Sequence, residues 1–189
     1  MFPKEVYRRR REFLRKMVGD GLILFLGNDE SSMNYKDNTY HYRQDSNFLY
    51  FFGIGKPGFH GVCDVNSGTD TLYADDLTIE SVIWMGTQPS VKDLASLVAV
   101  ESTVSLANLG NDLKAALKTG RKIHLLPSYR GDQDIKLAEL LGVSSKELKK
   151  HVSEELIGAV VNLRAVKDQF EIAEIERRSM WLVLCIRPP

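Results

Sequence analysis

The chain has 189 residues with 25 basic (Lys and Arg) and 25 acidic (Asp and Glu) side chains, so its formal net charge is zero. This length suffices for one domain with a stable core, and the balanced charge leaves no basic footprint for a nucleic acid. No segment approaches the roughly 20 apolar residues of a membrane span, and the charged N-terminus has no apolar stretch long enough for a signal peptide. We therefore expect a soluble, cytoplasmic protein without a nucleic-acid or membrane partner.

The first 26 residues predict a helix followed by a buried strand. Four apolar residues recur at helical spacing between residues 3 and 18: Val6, Phe13, Leu14 and Met17. This spacing predicts a helix with one apolar face, and Pro3 suits its first turn. The basic run 8–11 is typical of a solvated helix face, with phosphate contact as the less favoured alternative. Residues 22–26 form a continuous apolar run, which predicts a buried strand.

A second apolar run, residues 48–52, follows the polar segment Arg43 to Asn47 and ends at Gly53. Spacing alone predicts a strand buried on both faces and entered through a polar turn. Residues 53–58 also match the pattern G-x-G-x-x-G, which holds a dinucleotide only where a helix begins directly after it. Pro57 and the residues that follow predict a turn and a strand instead, so we reject dinucleotide binding.

Residues 60–65 and 70–74 predict a hairpin around a glycine-containing turn. Four carboxylates gather at its two ends: Asp64, Asp70, Asp75 and Asp76. A nuclease-like site would require several of them to share a divalent metal ion. We favour the alternative that each binds local backbone amides at a turn or strand end, because the chain lacks a basic surface for a nucleic acid.

The remainder alternates between strand and helix signals. In order, the predicted elements are a short strand at 80–86, a helix from Ser90 to about Val98, a strand at 103–106, a helix at 108–117, a strand at 122–126 and a helix at 134–141. Short connections between such elements indicate crossovers and at least some parallel strands. The sequence therefore predicts an α/β domain.

Histidine and cysteine spacing gives no sign of a catalytic or metal site. The four histidines are widely separated: His41, His60, His124 and His151. None lies in an H-E-x-x-H pattern, and Cys63 and Cys185 show no metal-ligand spacing. A Gly-x-Ser-x-Gly elbow is missing as well. We therefore assign no catalytic residue and no metal ligand.

Three segments resemble the N-terminal domain of aminopeptidase P, the metal-dependent Xaa-Pro aminopeptidases of the pita-bread group that also includes prolidase and creatinase. The most specific is Tyr-x-Tyr-Arg-Gln-Asp-Ser-Asn-Phe-x-Tyr-Phe-x-Gly, from Tyr40 to Gly53. Trp84-Met85-Gly86 follows the hairpin as in the family, and Arg-x-x-Lys-x-x-x-Glu-Ile begins at Arg164. The motif residues are Arg43, Gln44, Asp45, Ser46, Phe48, Tyr50, Gly53, Arg164 and Lys167.

The resemblance implies a creatinase-like, ribonuclease H-like fold in which a mixed sheet of about six strands carries helices on both faces. It covers residues 1–178 as one N-terminal domain. Residues 179–189 form an atypical apolar tail where the catalytic pita-bread domain of the family would begin. We interpret Trp181 to Ile186 as an abnormal tail or as a sticky strand that needs a partner.

In function, the resemblance implies a non-catalytic domain that contributes oligomer contacts and restricts substrate access. The parent enzyme would hydrolyse the bond before proline with two divalent metal ions, usually manganese, held by its catalytic domain. Its partners would be that domain and neighbouring subunits, and Trp84 would reach toward a neighbour's active site unless it is simply packed half-buried. The alternative is a free-standing interaction or dimerisation module without peptidase chemistry.

Overall fold

The computed structural model describes the backbone of residues 1–186 and the side chains of residues 1–180. In chain order the elements are α1 (Lys4–Val18), β1 (Leu22–Leu26), α2 (Ser46–Phe52), β2 (His60–Asp64), β3 (Asp70–Tyr73), α3 (Ile79–Met85), α4 (Val91–Leu97), β4 (Ser102–Val104), α5 (Leu106–Lys118), β5 (Ile123–His124), α6 (Gly131–Leu141), α7 (Ser145–Leu148), α8 (Glu154–Ala165) and α9 (Gln169–Ile186). A short 3-10 turn, Lys149–His151, joins α7 to α8.

The strands form one mixed sheet in the order β4-β3-β2-β1-β5. β2 pairs antiparallel with β1 and β3, and the hairpin predicted from residues 60–74 is confirmed. β5 pairs parallel with β1, and β4 pairs parallel with β3. The predicted mixed α/β sheet is therefore present, with five strands among the described residues in place of about six.

Helices cover both faces of the sheet because side chains alternate along each strand. On one face Ile23, Phe25 and Cys63 pack under α1, α2, α4 and α8. On the other face Leu24 and Val62 pack under α5, α6 and α7. The two cores remove the apolar sides of the long helices from water, which is the main stabilising contribution in a domain of this size.

The strand predicted over residues 48–52 is wrong, since these residues belong to α2. The carboxylate of Asp45 accepts the backbone N–H groups of Asn47 and Phe48, each at 2.9 Å, and so caps the helix. Gly53 ends it in the left-handed conformation at φ 65°, where an added Cβ would lie 2.3 Å from the Tyr7 ring. A short apolar run cannot distinguish a buried helix from a buried strand. Here the Asp45 cap favours the helix.

The strand predicted over residues 80–86 is also wrong, because α3 occupies Ile79–Met85. The hydroxyl of Thr78 accepts the N–H of Ser81 at 3.2 Å and caps this helix. The expected cap at Ser90 is confirmed. Its hydroxyl accepts the N–H of Asp93, and the Asp93 carboxylate in turn accepts the N–H of Ser90. The reciprocal pair is a capping box at the start of α4.

The predicted apolar face of α1 is confirmed at Val6 and Leu14 and is wrong at Phe13 and Met17. Phe13 and Met17 are 48% and 43% exposed, whereas the buried residues are Val6, Tyr7, Arg10, Arg11, Leu14 and Val18. The interpretation of the run 8–11 as a solvated face is therefore wrong for Arg10 and Arg11. Buried cations need partners, and both have carboxylates and carbonyls within hydrogen-bond distance.

For residues 179–189, the backbone continues α9 as far as Ile186, so this part is not a strand. The side chains of the predicted sticky segment, Trp181 to Ile186, lie outside the described residues, as do residues 187–189.

Candidate functional site

The polar residues of the segment Arg43 to Asn47 shape the chain around the end of β1. Gln44 Oε1 accepts the N–H groups of Asn28 (2.7 Å) and Asp45 (2.8 Å), and its Nε2 donates to Lys56 O at 2.8 Å. All of these atoms belong to a largely buried site, so Gln44 joins three stretches of backbone that would otherwise lose hydrogen bonds. Arg43 differs: its side chain is exposed, and its carbonyl accepts from Asn28 at 2.8 Å.

Tyr50 connects this motif helix to the end of α8. Its hydroxyl donates to Leu163 O at 2.8 Å, and the Arg10 guanidinium lies 3.8 Å from the centre of its ring. Arg164 approaches the same ring at 5.5 Å and donates to Ser46 Oγ at 3.3 Å and to the side chain of Asn47. Cation–aromatic contacts of this kind add to the hydrogen bonds.

The structure therefore brings together the first and third segments of the resemblance, which lie more than 100 residues apart in the sequence. Lys167 donates to the carbonyl of Arg164 and so belongs to the same assembly. Phe48 is fully buried beneath it. Trp84 is not part of the assembly, since it lies on α3.

A groove of about 590 Å³ runs beside this assembly, between α1, α2 and α9. Its lining mixes apolar and charged side chains, among them Phe2, Arg10, Leu49, Tyr50, Arg164 and Ile175. Leu49 and Ile175 are 44% and 52% exposed. The described residues that line the groove include no nucleophile with an adjacent base, and this surface suits contact with another protein surface better than chemistry.

α3 presents a second exposed surface, which we call the α3 patch: Leu77, Ile79, Val82, Ile83, Trp84 and Met85. No residue of this helix is buried, and Trp84 and Ile79 are each 83% exposed. Half-buried packing of Trp84 is therefore not what the structure shows. Exposed apolar side chains gathered on one short helix favour an interaction surface, because their contact with water is unfavourable.

The four hairpin carboxylates do not converge. Asp64 binds Arg121 at 2.7 Å and local amides, as expected. Asp70 departs from that expectation, since it pairs with Arg11 at 2.7 Å and with Arg15. Asp75 and Asp76 accept the first amides of α5 and α4, from Leu106 and Val91 respectively. Among the described residues, no group of three or more His, Cys, Asp or Glu side chains is placed to hold a metal ion.

Burial raises the pKa of Asp64, but the bond from Arg121 and the N–H groups of Ser67 and Asn66 outweigh it and leave the pKa lower than usual. Asp64 is thus an ionised turn residue whose Oδ1 already accepts from Arg121, Asn66 and Ser67. The alternative of a nuclease built on these carboxylates receives no support from the geometry.

Two histidines are structural. His60 is fully buried and its Nδ1 accepts the N–H of Gly27 at 3.1 Å. Burial, with a smaller contribution from the charge of nearby Lys136, lowers the His60 pKa to about 3. His124 forms hydrogen bonds with Ser153 Oγ at 2.8 Å and with Asp20 O at 3.0 Å.

The described residues contain no helix with both the length and the apolar character needed to cross a membrane.

Comparison with known proteins identifies relatives of this chain. The family model described as "Aminopeptidase P, N-terminal domain" matches residues 6–125. A "Probable Xaa-Pro aminopeptidase" of Blastomyces gilchristii is 25% identical over 160 residues, covering 84% of this chain and 30% of the relative. The "Xaa-Pro dipeptidase" of Homo sapiens is 28% identical over 127 residues, covering 66% and 25% respectively.

Among solved structures, "Proline aminopeptidase P II from Yersinia pestis" superimposes with a TM-score of 0.72 at 19% identity, over 91% of this chain and 41% of that one. At this level of identity the superposition establishes a shared fold. The chain spans about a third of the length of the curated relatives that it matches.

Proposed function

The chain belongs to the family of aminopeptidase P N-terminal domains, and from that premise we propose that it is the non-catalytic N-terminal domain of a cytoplasmic Xaa-Pro aminopeptidase. Its role is to form contacts between subunits and to restrict access to the substrate entrance. The observation that carries the proposal is the α3 patch, a group of apolar side chains on a helix that no other described part of the chain covers.

The exposure of Trp84 supports the access role. A large aromatic side chain that stands 83% exposed on a short helix is available to a neighbouring subunit, and burial of such a side chain contributes strongly to an interface. In the assembled enzyme, the α3 patch of one subunit would then lie beside the substrate entrance of its neighbour. This arrangement would favour short, extended peptides with proline in the second position.

The peptide bond before proline would be hydrolysed in a separate catalytic domain with two divalent metal ions, manganese in our proposal. Paired metal ions need several carboxylate or imidazole ligands that converge on one point. The described residues offer no such group, so we assign no step of the reaction to this chain. The partners of the domain would be the catalytic domain, reached through the groove beside α2, and other subunits.

The test is the association state of the chain and of matched variants by sedimentation velocity. We expect wild-type protein to associate, and the double variant Ile83→Ser/Trp84→Ser to shift toward the monomer because the apolar contact is lost. The control is Tyr129→Ser, which removes an aromatic side chain 71% exposed on a different surface and should associate like the wild type. Unchanged association of the double variant would contradict the proposal.

The same measurement distinguishes our proposal from the alternative that the chain is a free-standing interaction module. In that alternative, association runs through residues 181–186. Deletion of residues 179–189 would then abolish association, while the Ile83→Ser/Trp84→Ser variant would associate normally. Our proposal expects the opposite pattern.

A further inference from the structure

α9 is attached to the domain only near its start, as judged from the side chains of residues 1–180. Within that range none of its residues is buried, and Ile172, Ile175 and Met180 are 46%, 52% and 66% exposed. The groove beside α2 separates its later turns from α1. The contacts with the body come from its first turn, where Phe170 lies 6.2 Å from Phe2 and Glu171 lies 3.2 Å from Arg10.

The connection before α9 is a short elbow. α8 ends at Ala165 and α9 begins at Gln169, so residues 166–168 separate two helices. Val166 is 79% exposed and contributes little packing. A connection of this kind is where a change in backbone angle would reorient the helix that follows it.

Arg10 holds the far side of this elbow through the carboxylates that start α9. Asp168 Oδ1 accepts the N–H groups of Phe170 (2.9 Å) and Glu171 (3.0 Å), and the Glu171 carboxylate accepts the N–H of Asp168 at 3.2 Å. The second oxygen of Asp168 lies 2.9 Å from Arg10 Nη2. The same two carboxylates therefore cap α9 and bind the cation of α1.

Arg10 is itself immobilised. It is 4% exposed, its Nη1 donates to Tyr50 O at 3.0 Å, and its guanidinium stacks on the Tyr50 ring at 3.8 Å. The hydroxyl of Tyr50 holds the near side of the elbow through Leu163 O at 2.8 Å. Both ends of the elbow are thus fixed to one pair of side chains.

We infer that Arg10, with Asp168 and Glu171, is a clamp that sets the direction in which α9 leaves the domain. Without the clamp, α9 turns as a rigid arm about residues 166–168. An arm of 18 residues is about 27 Å long, so a rotation of about 20° moves its end by about 9 Å. The clamp involves only residues of this domain, and its test is independent of any peptidase activity.

The experiment measures a distance distribution by double electron–electron resonance. Nitroxides are attached at Glu176→Cys on α9 and Lys118→Cys on α5, both exposed positions, in a Cys185→Ser background. Cys63 is fully buried and stays unlabelled. Dilution with unlabelled protein removes distances between subunits. We expect one narrow distribution in this parent, and a shifted distribution or one about twofold wider after Arg10→Met, as for a released hinge.

The matched control is Arg8→Met, the same substitution on the same helix. Among the side chains that the structure describes, Arg8 pairs only with exposed Glu12, at 3.8 Å, and its loss should leave the distribution unchanged. Asp168→Asn/Glu171→Gln provides a second route, since Asn still caps a helix but carries no charge for Arg10. This double variant should widen the distance distribution as Arg10→Met does. It tests the clamp even if the Arg10→Met variant does not fold. A narrow, unshifted distribution in either folded clamp variant overturns the inference.

Discussion

Arg11 shows how a buried cation can hold a domain of this size together. It is 0% exposed, and its guanidinium donates to Asp70 (2.7 Å) and to three carbonyls: Phe51 O (2.7 Å), Val98 O (2.8 Å) and Ala99 O (2.9 Å). These acceptors belong to α2, to β3 and to the end of α4. One side chain on α1 therefore satisfies backbone carbonyls of α2 and of the end of α4, together with a carboxylate of β3.

We predict that Arg11→Met lowers the free energy of unfolding by about 3 to 5 kcal/mol, because removing one partner leaves a buried carboxylate and three carbonyls poorly satisfied. Urea unfolding measures the change. Arg8→Met is the control and should change stability by less than about 1 kcal/mol, since exposed pairs contribute little. Equal effects of the two substitutions would show that burial does not distinguish the two arginines.

The partners of Arg10 and Arg11 could not be read from the local sequence. Asp70 is 59 residues from Arg11, and Asp168 is 158 residues from Arg10. The positions themselves carried a signal, because both arginines fall at helical spacing between Val6 and Leu14. Four consecutive arginines cannot share one face of a helix, so some of them had to point away from the solvent-facing side.

At the scale of elements, caps rather than apolar runs determined which segments became helices. α2 and α3 contain aromatic and β-branched residues typical of strands, and both were predicted as strands. Asp45 and Thr78 lie at their N-caps, and Gly53 and Gly86 follow their last residues. The pattern of cap, short run and glycine was visible in the sequence and would have predicted both helices.

The cap of α2 gives a prediction at this scale. Asp45→Ala should lower the free energy of unfolding by about 1 to 2 kcal/mol, because two amides at the start of a buried helix lose their acceptor. Asp45→Asn keeps a side-chain oxygen in place and should cost less than half as much. Thermal unfolding monitored by circular dichroism measures both changes. Equal losses in the two variants would indicate that the charge of Asp45, and not the cap, stabilises α2.

At the scale of the whole molecule, the α/β class and the hairpin followed from the order of strand and helix patterns in the sequence, whereas helices on both faces of the sheet were an expectation from the family resemblance. Those patterns report burial of strand faces, which is a local property. The groove and the α3 patch depend on how distant elements meet. The groove needs α1, α2 and α9 together, and the α3 patch is recognisable only once no described element is seen to cover it. Exposure of an apolar residue is a property of the fold, so the sequence could not predict it.

The pH dependence of stability is also a property of the whole molecule, and the burial of His60 determines the direction in which stability changes with pH. Burial is the main cause that lowers the pKa of His60 to about 3, whereas an unfolded histidine titrates near 6.5. Below about pH 6.5 the unfolded chain binds a proton that the folded chain does not, so the free energy of unfolding falls as pH decreases toward 3. One such proton changes stability by about 1.4 kcal/mol per pH unit in the middle of this window.

We predict that His60→Asn flattens this dependence between about pH 6 and pH 4.5, above the range where most carboxylates titrate. Asn can still accept the N–H of Gly27 but does not titrate. The measurement is urea unfolding at several pH values for wild type, His60→Asn and the control His41→Asn, which changes an exposed histidine and should keep the wild-type slope. Parallel curves for wild type and His60→Asn would show that His60 binds its proton equally well in the folded domain, and that the acid sensitivity arises elsewhere.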